Sequence, residues 1–348
     1  MAEFHKVHIQ EIKQETADAV SVVFKIPEHL KTDFSFESGQ YITLQTTIND
    51  ENVRRAYSIC STPQSGEIRV AIKKVEQGVF SKHATTHLKV GDAIEAAAPE
   101  GRFLLTPEVE YNYIGFAAGS GITPILSLLK TVLETESTAS FTLIYGNKSV
   151  ADAIFFEELN SLKETYADRF KLHYMYSREN VKNSLRGRID GNVTNYFVKN
   201  MYKETSFNAA YLCGPEEMIK DVIKTLEKNK IAKENIHFEL FTASVDEEKV
   251  AQVKEGSTEI TVRLDDEETT FIMSQTDDIL AANLRNNIDA PYSCQGGVCS
   301  SCLAKVTEGK AVMVKNSILT DGELEEGLIL TCQAHPTTPK ITIDFDDV

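Results

Sequence analysis

At 348 residues the chain is longer than one ordinary hydrophobic core organises, so two or three domains are expected. Hydrophobic residues at 42% and charged residues at 25% describe a globular protein, and no apolar run approaches the roughly 20 residues of a membrane span. The formal net charge of −16 works against nucleic-acid phosphates as a partner and favours proteins with basic patches.

The first ten residues, MAEFHKVHIQ, alternate like a strand and lack an apolar signal core, so a cytoplasmic location is expected. Short alternating runs follow at 20–26, 41–44 and 68–72, separated by turn residues, and predict an antiparallel sheet or barrel. Within this region Arg55-Ala56-Tyr57-Ser58 offers a phosphate-binding fork beside an aromatic face, which suits a flat, redox-active ring. By itself the same tetrapeptide reads equally well as an ordinary strand. Gly78, Val79, Phe80 and Ser81 open a helix, where backbone N–H groups can receive a pyrophosphate; the plainer reading is a turn and helix cap.

After Pro99-Glu100-Gly101 the texture changes. Buried apolar strands at 113–118, 141–145, 172–176 and 209–212 alternate with helices after Pro124, over 155–166 and after Pro215, which predicts a parallel α/β sheet. Gly119, Gly121, Ile122, Thr123 and Pro124 form a Gly-rich turn between a strand and a helix, the place for a dinucleotide pyrophosphate, although the full G-x-G-x-x-G spacing is absent. Tyr145-Gly146-Asn147, Ser177-Arg178 and Cys213-Gly214-Pro215 with Met218 each end a strand, where such sheets bind ligands.

The stretch 242–257 is polar, charged and nearly free of large apolar residues, and reads as an interdomain linker. Beyond it, strand-like ends flank a helix near 279–286 and a cysteine loop. Cys294, Cys299 and Cys302 with Cys332 downstream give the C-x₄-C-x₂-C…C spacing of a plant-type [2Fe–2S] site, and four thiolates supply two ligands to each iron. Structural zinc is the alternative, but zinc sites favour paired short spacings and here one C-x₂-C exists. Gly296 and Gly297 let the backbone approach the sulfides, and Gln295, Ser300 and Ser301 are expected to hold N–H groups near the sulfurs. Cys60, in a strand-like run, reads as a small buried hydrophobe with no chemistry.

Taken in order, these motifs resemble the ferredoxin–NADP⁺ reductase superfamily, and within it the oxygenase reductases that end in a plant-type ferredoxin domain. The resemblance implies a multidomain β, α/β and α+β protein. Its parts are an antiparallel β-barrel flavin domain over 1–105, a parallel-sheet nucleotide domain over 106–241, the linker, and a β-grasp ferredoxin domain over 258–348. It also implies that Arg55 pairs with flavin phosphates, Tyr57 packs on the isoalloxazine and Ser58 hydrogen-bonds flavin N5. Relatives of similar order use FMN; the helix start at 78–81 favours FAD.

In the same family Cys213 lies beside the nicotinamide and aids hydride-transfer geometry. A Ser-Arg pair such as Ser177-Arg178 grips the 2′-phosphate of NADPH, which is therefore expected over NADH, while Arg186 and Arg188 read as loop residues. The implied route runs from NADPH to FAD, then in single electrons to the cluster and on to an oxygenase or another acceptor protein. Acidic residues crowding the last domain predict a salt-sensitive surface for a basic docking face. A diaphorase acting on small molecules and a redox sensor are the rival readings.

Overall fold

The computed structural model describes residues 3–135 and 138–348. They form two compact units, Phe4–Glu239 and one made chiefly of Leu240–Val348.

The first unit opens with six antiparallel strands: β1 (Phe4–Thr16), β2 (Ala19–Lys25), β3 (Tyr41–Ile48), β4 (Glu51–Ser58), β5 (Ile68–Lys73) and β6 (Ala93–Ala97), in the spatial order β4-β3-β6-β1-β2-β5. Alternation decides the faces: Val7, Ile9, Val22, Ile42, Leu44, Val70 and Ile72 point inward and are buried together with Phe80. Bulges between Ile9 and Glu11 and between Gln14 and Thr16 bend the long β1. An isolated bridge from Ile59 to Val70, with Cys60 N donating to Arg69 O at 2.8 Å, joins the chain after β4 to β5 and closes the barrel. The helix α1 (Val79–Thr86) follows β5, as expected at 78–81.

The nucleotide sheet is wholly parallel. It comprises β7 (Asn112–Ala118), β8 (Ser140–Asn147), β9 (Phe170–Tyr176), β10 (Leu185–Arg186), β11 (Ala209–Cys213) and β12 (Ile236–Glu239), ordered β10-β9-β8-β7-β11-β12. Helices α2 (Ile122–Glu134), α3 (Phe156–Thr165), α4 (Gly191–Asn195) and α5 (Glu216–Lys228) connect these strands. The chain moves outward from β7 to β10, then returns to the other side of β7 for β11, so the topological switch point lies between β7 and β11. Barrel and sheet share one core. Ala19, Cys60, Ala71, Phe103 and Leu105 pack with Tyr113, Ile125, Leu129 and Tyr211, and each large side chain so buried contributes about 1.5–3 kcal/mol. Phe103 meets Tyr211 edge-on at 5.5 Å between ring centroids.

The second unit begins with the short helix α6 (Glu247–Val250), capped by the Asp246 side chain. Asp246 N donates to Val314 O at 2.8 Å, so part of the stretch read as a linker is fastened to this unit. A mixed sheet follows, of order β14-β13-β19-β15-β17, from β13 (Ser257–Leu264), β14 (Glu267–Ser274), β15 (Leu303–Glu308), β17 (Leu328–Leu330) and β19 (Lys340–Asp344). The first and last strands, β13 and β19, pair in parallel at its centre. A small pair, β16 (Ala311–Met313) with β18 (Ala334–Pro336), and helices α7 (Ile279–Arg285) and α8 (Asp321–Glu325) complete it. This is the β-grasp arrangement expected for a ferredoxin domain, with α7 and the cysteine loop set between the opening hairpin and β15.

Candidate redox sites

Ser58 ends β4 and is buried, and its Oγ donates to Glu239 Oε2 at 3.0 Å across 181 positions of sequence. Glu239 ends β12 and pairs in register with Cys213, the last residue of β11. A barrel strand and the carboxyl ends of two sheet strands thus bring Ser58, Glu239 and Cys213 together. Burial, reinforced by Glu239, pushes the Cys213 thiol far above its ordinary pKa, so it stays protonated and suits packing against a ring rather than nucleophilic attack. Glu239 was not singled out in the sequence. Its signal is weak: an alternating Ile236-His237-Phe238-Glu239 run with no motif around it.

Tyr57 lies one residue before Ser58, and its ring rests on Phe80 at 5.5 Å between centroids. Burial raises its hydroxyl above the ordinary range against the opposing charge of Arg55, so it remains neutral. Arg55 donates one N–H to Arg54 O at 2.6 Å. In α1, Lys82 N is the donor that first returns to Gly78 O, so the amides of Val79, Phe80 and Ser81 precede any acceptor within the helix. Ser81 Oγ accepts from Val75 N at 3.1 Å, and Phe80 points into the barrel core beneath Tyr57. Of the four residues at 78–81, therefore, Phe80 supports the tyrosine with its ring, the amides of Val79, Phe80 and Ser81 are left as backbone donors, and Gly78 N is taken by Val75 O at 3.0 Å.

At the switch point the Gly-rich turn leads into α2. Gly121 is required by close approach: a Cβ there would stand 2.1 Å from Cys213 O. Tyr145 OH donates to Gly119 O at 3.0 Å and fixes the turn from β8. The Lys73 ammonium lies 3.8 Å from where a Cβ on Gly119 would be, a cation beside the turn to which the sequence reading gave no role of its own. Gly146 precedes Asn147, a 9% exposed residue whose side-chain amide is buried with the Tyr145 hydroxyl beside it. A buried amide has more hydrogen-bonding capacity than one hydroxyl meets, which favours a ligand that engages it, and it lies at the C-terminal edge of β8. Beyond β9, Ser177 N and Arg178 N continue the ladder onto Asn147 O and Lys148 O, with the Arg178 side chain exposed. Gly214, Pro215 and Met218 lead from Cys213 into α5, and Thr123 and Pro124 are buried in the first turn of α2.

The four C-terminal cysteines come together as two pairs. The Cys299 thiol donates toward Cys294, and the Cys302 thiol donates toward Cys332. This contact with Cys299 holds the Cys294 pKa below that of an ordinary thiol, and that with Cys302 lowers Cys332 likewise. Among the described residues no three His, Cys, Asp or Glu side chains gather as a mononuclear ion requires; a pairing of two and two is what a dinuclear cluster needs.

Backbone donors surround the sulfurs. Gly296 N points to Cys294 Sγ at 3.3 Å, with Val298 N beside it and Gly297 N toward Cys332. The sequence had assigned this work to Gln295, Ser300 and Ser301. Gln295 and Gly297 instead take left-handed backbone, at φ 52° and 73°, which turns the amides that follow and intervene inward as an anion-binding nest. Ser301 contributes by its side chain, 3.5 Å from Cys299 Sγ. The loop is clamped from outside: Gln333 Nε2 donates to Gln295 O at 3.1 Å and Cys332 O at 2.7 Å, and Ser317 holds Gly297 O.

Comparison with known proteins agrees with this anatomy. Family models match in sequence: an oxidoreductase FAD-binding domain over residues 6–104, an oxidoreductase NAD-binding domain over 116–224, and a 2Fe-2S iron-sulfur cluster binding domain over 262–337. The chain belongs to the family of oxygenase reductases, oxidoreductases that carry electrons from NAD(P)H through FAD to a [2Fe–2S] cluster on one polypeptide. A 1,2-phenylacetyl-CoA epoxidase subunit from Escherichia coli (strain K12) is 37% identical over 351 residues, covering 99% of each chain. The ferredoxin reductase component of 3-ketosteroid-9-alpha-monooxygenase from Rhodococcus rhodochrous is 30% identical over 97% of this chain and 95% of its own. Phthalate dioxygenase reductase shares the fold at a TM-score of 0.65 and 24% identity, with 98% of each chain covered.

Proposed function

We propose that this reductase serves the oxygenase component of a phenylacetyl-CoA epoxidase, in the cytoplasm, with NADPH as reductant. The observation that carries the acceptor is the end-to-end similarity to the phenylacetyl-CoA epoxidase protein of Escherichia coli. No helix among the described residues is long and apolar enough to cross a membrane.

Bound FAD supplies hydride acceptance and release of single electrons, and a bound cluster supplies a one-electron carrier. The protein's part is placement. Arg55 and the amides at the start of α1 hold phosphate, and Tyr57 covers the flat ring. Gly119, Gly121 and Thr123 cradle the dinucleotide pyrophosphate at the head of α2, with Lys73 adding charge. Asn147 meets the nucleotide with its buried amide. Ser58, held by Glu239, and Cys213 define where two rings meet, and near-attack placement is where such a site gains rate. Cys294 with Cys299 would hold one iron of the cluster, and Cys302 with Cys332 the other.

Support for NADPH is Ser177 followed by the exposed Arg178 at the end of β9, where a guanidinium can pair with a 2′-phosphate. Glu179 is engaged elsewhere, accepting from Val150 N at 2.8 Å. A 26%-identical Escherichia coli relative is named NADH oxidoreductase HCR, so the nucleotide is the point to test. Arg178→Ala should raise KM for NADPH about 10-fold or more and leave KM for NADH unchanged, the removed contact being a charge-assisted bond worth about 1.5–3 kcal/mol. Equal effects on both nucleotides would reject the assignment.

Residues 258–348 carry 16 Asp and Glu against six Lys and Arg. Several of these acids have structural duties: Asp278 caps α7, Asp277 pairs with Arg285, and Asp346 accepts from Asp265 N and Asp266 N. Glu267, Glu325 and Glu326 remain as exposed charge for a basic acceptor. Reduction of the purified epoxidase oxygenase component should fall steeply as salt rises past the screening regime, while flavin reduction by NADPH stays level. An oxygenase that is not reduced, or is reduced at a rate indifferent to salt, would overturn the acceptor or the docking surface respectively.

A further inference from the structure

The junction between barrel and nucleotide domain holds a group of charges that the redox chemistry does not use. Arg69, on β5, donates from Nη2 to both carboxylate oxygens of Glu158 on α3, each at 2.9 Å. Lys130, on α2, reaches Glu158 Oε1 at 3.2 Å. All three side chains are between 17% and 21% exposed. The Arg69 guanidinium also lies over the Phe155 ring at 5.2 Å, and Phe155 itself adopts left-handed backbone, φ 60°, at the start of α3. Burial works against the Glu158 carboxylate, yet Arg69 and Lys130 outweigh it and hold the carboxyl below its ordinary pKa.

Two hydrogen bonds extend the same seam. Ser127 Oγ donates to Ser61 O at 2.7 Å, and Thr62 Oγ1 donates to Glu134 Oε2 at 2.9 Å. Ser127, Lys130 and Glu134 fall three and four residues apart, so they line one face of α2. That face is fastened to barrel residues 61–69, directly or through Glu158. Gly121, the N-cap of the same helix, packs against the Cys213 carbonyl. A 13-residue helix is stiff, so where its middle is anchored decides where its head sits.

Stability alone does not explain the arrangement. Desolvating three charges costs much of what their attraction returns, and an apolar seam of the same shape would hold the domains equally well. What directional ion pairs add over apolar contact is a single register.

We propose that Arg69, Glu158 and Lys130 are positioning residues for hydride transfer: they lock α2 and α3 to the barrel in the one register that brings the nicotinamide site at Gly121 and Cys213 onto the flavin site at Ser58. The inference rests on the assignment of that site, and the experiment separates the two. The isosteric Glu158→Gln removes the central charge without removing volume. In anaerobic stopped-flow it should slow flavin reduction at saturating NADPH about 10-fold or more, as sub-ångström misplacement of reacting centres does. The deuterium isotope effect with 4-deuterated NADPH should rise toward its intrinsic value, while nucleotide affinity and flavin content stay unchanged.

Arg69→Gln should behave alike, and the double variant should be no slower than either single one. Val222→Ala in α5, a buried position outside the shared barrel–sheet core, supplies a matched loss of melting temperature and should keep wild-type reduction. Wild-type rate and isotope effect in Glu158→Gln, or equal slowing in Val222→Ala, would overturn the positioning role. Slow reduction in Ser58→Ala beside wild-type rates at position 158 overturns it while leaving the site intact.

Discussion

The two redox centres are built on opposite plans. Three cluster ligands lie within nine residues of one loop, and the fourth, Cys332, is 30 positions further along. The hydride site proposed above draws Ser58, Cys213 and Glu239 from strands as far as 181 positions apart. A loop that wraps a metal cluster encodes its geometry locally, because coordination chemistry dictates spacing. A site that aligns two flat cofactors has no such bond to obey; its geometry is inherited from barrel closure, sheet order and the packing between them. The first kind should fail all at once when one atom is changed, and the second by degrees.

Cys299→Ser probes the first plan and carries the largest expected effect. A hydroxyl replaces one thiolate of the Cys294–Cys299 pair, so cluster content, read as iron and acid-labile sulfide and by the reduced-state EPR signal, should collapse. Electron delivery to an acceptor protein should drop by orders of magnitude. NADPH should still bleach the flavin at an unchanged rate, because Phe4–Glu239 is a compact unit with its own core. A variant that keeps feeding its acceptor at full rate would show that electrons do not pass through these cysteines.

The second plan predicts graded loss. Ser58→Ala and Glu239→Ala each remove one end of the 3.0 Å hydrogen bond that joins barrel to sheet. Each should slow flavin reduction about 100-fold, in the range of positioned-group contributions, with cluster content untouched. The two act through one contact, so the double variant should be little slower than the worse single one. Additive losses in the double variant would mean that Ser58 and Glu239 act separately.

That contrast also accounts for what could be read from the sequence. Strands at 113–118, 141–145, 172–176 and 209–212 were legible because buried parallel strands are continuous apolar runs, and the helix after Pro215 because proline suits a first turn. The cluster cysteines announce themselves by spacing. Glu239 does not, because what marks it is its pairing with Cys213 across β11 and β12, a product of strand order that no local pattern carries. The approach of Lys73 to the Gly119 turn was hidden for the same reason: it arises only once barrel and sheet share a core. In the cysteine loop backbone donors reach the sulfurs from Gly296, Gly297 and Val298, whereas the sequence pointed to the backbone of Gln295, Ser300 and Ser301; left-handed backbone at Gln295 and Gly297 decides which amides face inward. The stretch at 242–257 was polar enough to read as a linker, yet its capped helix and its bond to Val314 depend on contacts formed only on folding.

The smallest expected effect tests whether the two units respond to acid separately. His173, on β9, packs its ring on Phe197 at 4.8 Å and shares a 2.7 Å hydrogen bond with Tyr202. Burial, with Lys163 nearby, lowers its pKa to about 4. An unfolded chain takes up that proton at the ordinary value of 6.5, so between pH 6.5 and 4 the unfolded state binds more protons and stability falls as the pH drops; above 6.5 the residue contributes no pH dependence. Because the ring is partly exposed, the effect discounts to on the order of 1 kcal/mol. His173→Gln keeps a polar partner for Tyr202 and cannot titrate. Its thermal transition for the flavin and nucleotide unit should be flatter over that window than the wild type's, while the transition followed by cluster absorbance should move identically in both proteins. If the cluster transition flattens too, the units do not unfold independently, and the separation between the two plans ends at the level of stability.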